Sequence, residues 1–241
     1  MGVRTIRRAA VVAAAAMALG LSATACSSGS GSGASSQAEL TVKTAPEAAT
    51  LAKLAAKVEG AEIVVGDPAA PHTVTVYEDP RCPFCKHYEG GGATAVARLA
   101  AEGKVKIRYT IASFLDANFG GSSSKRAVNA MRAAVDAGKF PEFHAAVFAS
   151  QPPKETDDAF TADNLLKIAD KVPGLRGAAF DKAVREDTYK DWVKSAEGAF
   201  EDSGVNGSPV VLIDGKKPGG DGRAIFDAEA FGKVLASAGV S

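Results

Sequence analysis

Two cysteines separated by two residues are the most chemically informative feature of this sequence. Cys82 and Cys85 enclose Pro83 and Phe84, follow a strand-like stretch and open a stretch of helical composition. One turn of helix brings sulfurs at positions i and i+3 close enough to form a disulfide. The spacing therefore predicts a redox-active dithiol that alternates between two thiols and one disulfide.

The expected start of the helix at Cys82 gives the two sulfurs different roles. Free backbone N–H groups and the positive end of the helix dipole stabilise a thiolate there, and the thiolate is the attacking species. We therefore expect Cys82 to be the nucleophile and the more shielded Cys85 to be the resolving cysteine. Pro83 suits the first helical turn, where its missing N–H is not needed. Phe84 offers an apolar rim and no hydrogen bond to sulfur.

A zinc site and a purely structural disulfide are the two other interpretations of the cysteine pair. Zinc requires four ligands, and His72, His87 and His144 complete no Cys/His spacing with this pair. A disulfide that closes so short a loop restricts the unfolded chain very little. Redox chemistry is therefore favoured, and we expect neither a metal nor another cofactor.

Composition limits the class of protein. The chain has 241 residues, of which 46% are hydrophobic, enough for one domain with an insertion and an ordinary core. Residues 1–25 carry three arginines and no acidic residue, so 25 basic and 28 acidic residues remain without them, a net charge of −3. This balance argues against nucleic acid as a partner.

The first 25 residues have the pattern of an export signal. Three arginines precede an apolar run over residues 9–21, which is too short to span a bilayer comfortably. Residues 23–25 fit ordinary signal cleavage and also resemble a lipobox, although Ala23 replaces the usual leucine. The odd cysteine, Cys26, and a flexible tether over residues 26–45 favour lipidation of Cys26. We expect a location outside the cytoplasm, where disulfides persist, with lipid anchoring or else secretion.

The elements that must position the dithiol alternate between strand and helix patterns. Strands are predicted at residues 63–65, 72–77, 105–111 and 210–213, with a return strand from Lys216 after the Asp214-Gly215 turn. Helices are predicted at residues 46–58, from the dithiol to about residue 101, in five stripes between residues 124 and 203, and after Asp227. The glycines at residues 90–92 predict a kink in the second of these helices, or close packing against another backbone. His144 falls in one stripe and is expected to be a packed histidine. The pattern predicts an α/β fold with a helical insertion over about residues 114–203.

Three motifs resemble the DsbA-like branch of the thioredoxin superfamily, over a match from about residue 60 to the C-terminus. They are residues 66–79 as the lead-in to the redox helix, Cys82-Pro83-Phe84-Cys85, and Gly204-Val205-Asn206-Gly207-Ser208-Pro209-Val210. The resemblance implies a thioredoxin fold over residues 46–241 and is closest to single-chain, membrane-anchored members from Gram-positive bacteria. It further implies a cis peptide bond at Pro209 and a substrate-binding role for the backbone of Ser208.

The sequence departs from this family at two positions. The family often has an acid six residues before the first cysteine as a proton relay, but that position is Val76 here. Glu78 and Asp79 lie closer to the cysteines, and Glu78 is our candidate for the relay. The family's oxidases also often carry a polar residue between the cysteines, where this chain has Phe84, which predicts a milder oxidant.

These features predict an extracytoplasmic thiol–disulfide oxidoreductase that oxidises the thiols of exported proteins. The resemblance implies a membrane reoxidant similar to vitamin K epoxide reductase, and we expect a monomer held at the membrane through Cys26. One alternative is a reductase or isomerase of the same fold. The other is a lipid-anchored chaperone or binding module, which would keep its function without the cysteines.

Overall fold

Helices and strands alternate along the chain around one mixed sheet. The computed structural model describes residues 40–240. The strands in this range are β1 Ala56–Glu59, β2 Glu62–Val65, β3 His72–Glu78, β4 Val105–Ile111 and β5 Val210–Ile213. The helices are α1 Ala48–Leu51, α2 Pro83–Gly90, α3 Gly92–Ala101, α4 Leu115–Phe119, α5 Ser123–Asp136, α6 Phe140–Ala149, α7 Ala162–Ala169, α8 Ala178–Arg185, α9 Lys190–Asp202 and α10 Ala228–Ser237, with a 3₁₀ turn at Arg223–Phe226.

The sheet has the strand order β1-β2-β4-β3-β5. β3 and β4 run parallel, with Val76 opposite Tyr109, and the other neighbouring strands are antiparallel. Val74, Val76 and Glu78 of β3 are all buried, and they share one face because side chains alternate along a strand. This architecture confirms the predicted thioredoxin fold with a helical insertion.

The predicted helix over residues 46–58 is wrong. Only Ala48–Leu51 is helical, and Ala56–Glu59 forms an edge strand that pairs with β2. Gly60 has a φ of 61° in the tight connection between the two strands, a conformation that glycine adopts at little cost. Pairing with β2 therefore overrides the helical spacing of the apolar residues.

The predicted return strand at Lys216 is also absent from the described residues. The chain does turn at Asp214 and Gly215, but Lys216 makes only an isolated bridge to Ile213. Asp214 accepts hydrogen bonds from the backbone N–H of Thr73 and from His72 at 2.8 Å each. These bonds hold the turn against β3, and Pro218 then ends any further pairing because it lacks a donor.

The helix that follows the cysteines breaks at the glycines, as predicted. α2 ends at Gly90 and α3 begins at Gly92. A Cβ atom on Gly91 would lie 2.2 Å from the carbonyl oxygen of Phe226, and one on Gly92 would lie 2.3 Å from that of Ile225. The glycines therefore allow the 3₁₀ turn to pack against the backbone between the two helices.

The helical insertion joins β4 to β5 and consists of α4 to α9. Its core includes fully buried aromatic residues of α6, among them Phe140, Phe143 and Phe148. α6 packs against α2, the helix that carries the cysteines. The insertion thus contributes directly to the surroundings of the dithiol.

The N-terminal part of the described chain lies against the domain. Leu40, Val42 and Ala45, which belong to the predicted tether, are partly buried against the core, and the Lys43 N–H donates to Ser150 Oγ at 2.8 Å. The predicted signal over residues 1–25, and Cys26, lie outside the described residues. No helix in residues 40–240 is both long and apolar enough to cross a membrane.

Candidate active site

The two cysteines occupy the first turn of α2. Cys82 is the N-cap residue, with an extended backbone, and Pro83 is the first helical residue. Both thiols are free. Cys82 is 6% exposed, whereas Cys85 is fully buried. Only Cys82 therefore presents any surface to a reagent or a substrate.

The surroundings of Cys82 stabilise its thiolate. A hydrogen bond from the Cys85 thiol, supported by Ser208 and by the N–H groups of Cys85 and Phe84, outweighs burial and lowers the pKa of Cys82 from 9.0 to about 6. When protonated, Cys82 Sγ donates to the carbonyl oxygen of Ser208 at 3.3 Å. The Ser208–Pro209 peptide bond is cis. The segment before β5 thus lies directly beside the first sulfur.

Cys85 behaves in the opposite way. Burial is the main reason that the pKa of Cys85 lies well above 9.0, and its hydrogen bond to Cys82 and the charges of Cys82 and Glu78 raise it further. At neutral pH, Cys82 is therefore largely thiolate and Cys85 is a thiol. This difference matches a nucleophile and a resolving cysteine.

An aromatic rim, formed by Phe84, His87 and Phe226, borders the dithiol. Phe84 is 58% exposed, and its ring centroid lies 6.3 Å from that of His87 and 6.3 Å from that of Phe226. Exposed apolar side chains that lie next to one another often mark a surface that contacts a partner. The rim is suited to apolar contact with a polypeptide.

Beneath the dithiol lies a buried carboxyl–histidine cluster made of Glu78, Glu89 and His144. His144 Nε2 lies 2.5 Å from Glu78 Oε1, and Nδ1 of the same ring lies 3.6 Å from Glu89 Oε2. The rings of Tyr109 and Phe140 pack against His144 with centroid distances of 4.6 and 5.0 Å. β3, α2 and α6 each supply one member, so the cluster exists only in the folded chain.

Burial keeps the cluster largely uncharged. It raises the pKa of Glu78 well above 4.5, with the Cys82 thiolate adding to the effect, and raises the pKa of Glu89 to about 8. It lowers the pKa of His144. A hydrogen bond between the two carboxyl groups lowers the pKa of Glu78 slightly against burial and adds to the rise in the pKa of Glu89. At neutral pH the cluster therefore holds transferable protons close to the dithiol.

The same three residues carry ligand types that could bind a metal ion. One ligand atom from each residue lies within 4.8 Å of the others. However, the two ring nitrogens of His144 face different carboxylates, so a bound ion could use only one of these nitrogens. The arrangement suits proton transfer better than chelation.

A second buried group, the arginine network, consists of Asp79, Arg81, Asp116 and Ser124. Arg81 Nη1 donates to Asp116 Oδ1 at 2.9 Å, and both side chains are almost fully buried. Asp79 accepts from Ser124 Oγ at 2.6 Å and from the backbone N–H groups of Arg81 and Leu115 at 2.9 and 3.0 Å. Burial nevertheless raises the pKa of Asp79 to about 7. The network fixes the loop before Cys82 to α4 and α5.

Sequence reasoning located both cysteines, Ser208, Pro209 and Glu78 but missed three other residues. Glu89 lies one helical turn after Cys85, and this i, i+4 spacing on a redox helix was a usable signal. Gln151 donates to the carbonyl oxygens of Pro80 and Cys82 at 2.6 and 2.9 Å. Neither Gln151 nor the contact of His144 with Glu78 had a local signal, because both residues come from the insertion.

Comparisons with known proteins agree with this geometry. Residues 58–224 match a family model described as thioredoxin, and no curated protein matches the chain. A solved structure of MdbA, a thiol-disulfide oxidoreductase from Corynebacterium matruchotii, is similar with a TM-score of 0.59 and 22% identity, covering 73% of this chain and 94% of that one. DsbA from Mycobacterium tuberculosis is similar with a TM-score of 0.55 and 24% identity, covering 72% of this chain and 93% of that one. BdbD from Bacillus subtilis is similar with a TM-score of 0.59 and 19% identity, covering 72% of this chain and 90% of that one.

Proposed function

Since the chain belongs to the thioredoxin family, we propose that it is an extracytoplasmic thiol–disulfide oxidoreductase that oxidises the thiols of exported proteins. The observation that carries this proposal is the asymmetry of the dithiol. Cys82 has a pKa of about 6 and a small exposed surface, whereas Cys85 is buried with a raised pKa. Among the solved structures that share this fold, MdbA is named as a thiol-disulfide oxidoreductase.

The proposed reaction begins with the Cys82–Cys85 disulfide. A substrate thiolate attacks Cys82 Sγ, and the bond to Cys85 breaks, so that a mixed disulfide forms and Cys85 leaves as a thiolate. Cys85 then takes a proton, for which the nearby Glu78 is the candidate donor. A second substrate thiolate attacks the substrate's own sulfur and releases Cys82 as a thiolate. Two electrons pass to the protein, and the substrate gains a disulfide.

The oxidising direction rests on the stability of the reduced state. A dithiol is an oxidant when its reduced form is stabilised relative to its disulfide. The hydrogen bond from Cys85 and the N–H groups at the start of α2 stabilise the Cys82 thiolate. Burial keeps Glu78 protonated, so its carboxyl group does not oppose that thiolate. A pKa of about 6 lies between the values of about 7 for thioredoxin and about 3.5 for the strongest oxidant in the family.

The surface around Cys82 supports an extended polypeptide as the substrate. The carbonyl oxygen of Ser208 lies next to the sulfur, where it can accept a backbone N–H of the substrate. Phe84 and Phe226 offer apolar contact on the aromatic rim of the dithiol. We propose that exported proteins bind in this way, and that a membrane protein similar to vitamin K epoxide reductase reoxidises the pair.

Trapping of mixed disulfides tests the assigned roles. In a Cys85→Ser variant the Cys82 thiolate can still attack a disulfide of an exported protein, but no Cys85 thiolate can displace the substrate from Cys82 again. Mixed disulfides with exported proteins should therefore accumulate in this variant, whereas Cys82→Ser should trap none. Reduced wild-type protein should be alkylated at Cys82 much faster than at Cys85. Equal trapping by both variants would contradict the roles. Activity that survives in both variants would instead favour a chaperone or binding module.

Membrane anchoring through Cys26 is a separate part of the proposal. The sequence pattern around Cys26 supports it. A Cys26→Ala variant should leave the membrane fraction while the purified protein keeps its rate of disulfide exchange. Wild-type protein found free in the medium would replace lipidation with ordinary signal cleavage.

A further inference from the structure

We propose that a groove beside the aromatic rim binds an acidic side chain of the substrate, so that the protein prefers exported polypeptides with an aspartate or glutamate close to the reacting cysteine. Two lysines, Lys43 and Lys86, supply the positive charge of this groove. The inference rests on the proposed function, because it names the class of polypeptide that the dithiol oxidises.

This cationic groove continues from the aromatic rim. It has a volume of about 440 Å³, and its lining includes Lys43, Lys86, His87 and Phe226. The rings of His87 and Phe226 also belong to the rim, where their centroids lie 6.5 Å apart. A polypeptide that lies on the rim while its cysteine reacts with Cys82 therefore reaches the groove as well.

Both lysines are held by the residues that follow α6. Lys86 Nζ donates to the carbonyl oxygen of Gln151 at 3.1 Å, and the side chain of Gln151 donates to the carbonyl oxygen of Cys82 at 2.9 Å. The backbone N–H of Lys43 donates to Ser150 Oγ at 2.8 Å. The ammonium group of Lys86 therefore keeps a defined position relative to Cys82, which lies one helical turn before it.

The charges of the two lysines are not paired within the domain. Lys57, Lys139 and Lys233 each have a carboxylate oxygen at 3.2 Å or less. Among residues 40–240, neither Lys43 nor Lys86 has such a partner. Burial, and after it the charge of Lys43, lowers the pKa of Lys86, so the two cations repel each other across the groove. A carboxylate bound next to them would relieve this repulsion.

The acidic residues near the groove do not supply that carboxylate. Glu89 belongs to the lining, but it is 6% exposed, and burial raises its pKa to about 8, so it is largely uncharged at neutral pH. Glu47, which follows the lining residue Pro46, is paired with Arg98 at 2.6 Å. The groove therefore carries a net positive charge that a carboxylate of the substrate complements.

The position of Lys86 limits where the acidic residue lies in the substrate. The single turn of helix from Cys82 to Lys86 advances about 6 Å, and the lysine side chain extends beyond it. An extended substrate advances about 3.3 Å per residue, so an acid about two to four residues from the reacting cysteine reaches the ammonium group. Such partly exposed ion pairs mainly raise the rate of association and select among substrates.

Reduction of the oxidised protein by matched peptides tests this preference. Three synthetic peptides carry the same two cysteines and differ only in a Glu, Gln or Lys placed about three residues from the first cysteine. At low ionic strength the Glu peptide should react at least about threefold faster than the Gln peptide, and the Lys peptide should be the slowest. The differences should shrink in high salt.

Each rate is divided by that of the same peptide with an uncharged small disulfide, because a neighbouring carboxylate raises the pKa of the peptide's own thiol. This correction leaves the part of the preference that comes from the protein.

Charge variants assign the preference to the groove. Lys43→Gln combined with Lys86→Gln should bring the corrected ratio of the Glu and Gln peptides to about one, because no cation then faces the carboxylate. Lys86→Glu should make the Lys peptide the fastest of the three. Lys216→Gln combined with Lys217→Gln is the matched control and should keep the wild-type preference. It removes the same charge from the turn after β5, which lies beside the start of β3 and so at the far end of that strand from the dithiol.

The outcomes separate the groove from the proposed function. Wild-type protein that exchanges no disulfide with any peptide would overturn the proposed function itself. Equal corrected rates for the three peptides would overturn the groove alone, and so would a preference that survives in the Lys43/Lys86 variant or disappears equally in the control. If that variant does not fold, Lys43→Gln decides the question, since Lys43 is exposed and contacts Ser150 through its backbone. It should lower the ratio, and an unchanged ratio would contradict the proposal.

Discussion

Glu78 and Asp79 are neighbours in the chain, but they belong to two buried polar groups of opposite character. Asp79 accepts three hydrogen bonds within the arginine network, and Asp116 accepts from Arg81 and from the N–H groups of Ser124 and Lys125. The carboxyl–histidine cluster has no arginine or lysine among its members. Hydrogen bonds and an arginine hold the first group in place although burial raises the pKa of Asp79 to about 7. In the second group burial raises the pKa of both carboxyl groups, which can therefore carry protons.

The difference assigns separate tasks to the two groups. The arginine network ties the loop before Cys82 to the insertion, with Arg81 also donating to the carbonyl oxygens of Gly120 and Glu155 at 2.8 and 2.7 Å. The carboxyl–histidine cluster holds its neighbouring elements less firmly, and burial keeps its carboxyl groups protonated at neutral pH. We infer that the first group positions the dithiol and that the second exchanges protons with it.

The largest expected effect comes from breaking the arginine network. Asp116→Ala leaves the Arg81 guanidinium buried without its carboxylate, and we expect the free energy of unfolding to fall by about 3–5 kcal/mol, measured by urea denaturation. Glu229→Ala is the control, because its pair with Lys233 is exposed and its loss should cost less than about 1 kcal/mol. Similar losses in both variants would contradict a positioning role for the network.

A smaller effect should come from Glu78→Gln, measured in the oxidised protein so that Cys82 does not titrate. The folded state raises the pKa of Glu78 well above 4.5, so its stabilising contribution is complete below that pH and is lost as the pH rises through the folded pKa. The Glu78→Gln variant has no carboxyl group to ionise at this position, so it does not lose this stability as the pH rises. Its unfolding free energy relative to wild type should therefore rise between pH 5 and pH 8 by at least about 1.4 kcal/mol, the value of one pKa unit. A constant difference across that range would show that Glu78 is not a proton carrier.

A third effect concerns the pH dependence of the dithiol itself. The folded state lowers the pKa of Cys82 from 9.0 to about 6, so the thiolate's contribution to stability is complete above about pH 9 and is lost as the pH falls through about 6. The reduced protein should therefore gain stability over the oxidised protein as the pH rises across this window. Paired denaturation curves of the two forms measure the difference, and a difference that shrinks with rising pH would contradict the stabilised thiolate.

The sequence predicted those parts of the site that depend on local pattern. The Cys82–Cys85 spacing, the start of the helix and the motif around Pro209 are all readable within a few residues. The glycines at residues 90–92 predicted the break between α2 and α3 for the same reason. Each of these features is determined by neighbours in the chain.

Features that depend on distant contacts were not predictable in the same way. The edge strand β1 exists because it pairs with β2, and its apolar spacing alone indicated a helix. His144 lies 66 positions from Glu78 in sequence, and only the packing of α6 against α2 brings the two together. The aromatic neighbours of His144 in the sequence indicated a packed residue, which it is, but they gave no sign of the two carboxyl groups.

The redox equilibrium of the dithiol with glutathione tests the central claim most directly. A stabilised Cys82 thiolate makes the reduced form favourable, so we expect a reduction potential above the roughly −270 mV of thioredoxin and below the roughly −120 mV of the strongest oxidant in the family. The reduced protein should also be more resistant to denaturant than the oxidised protein. A potential at or below that of thioredoxin, together with a more stable oxidised form, would contradict the oxidase and identify the protein as a reductase.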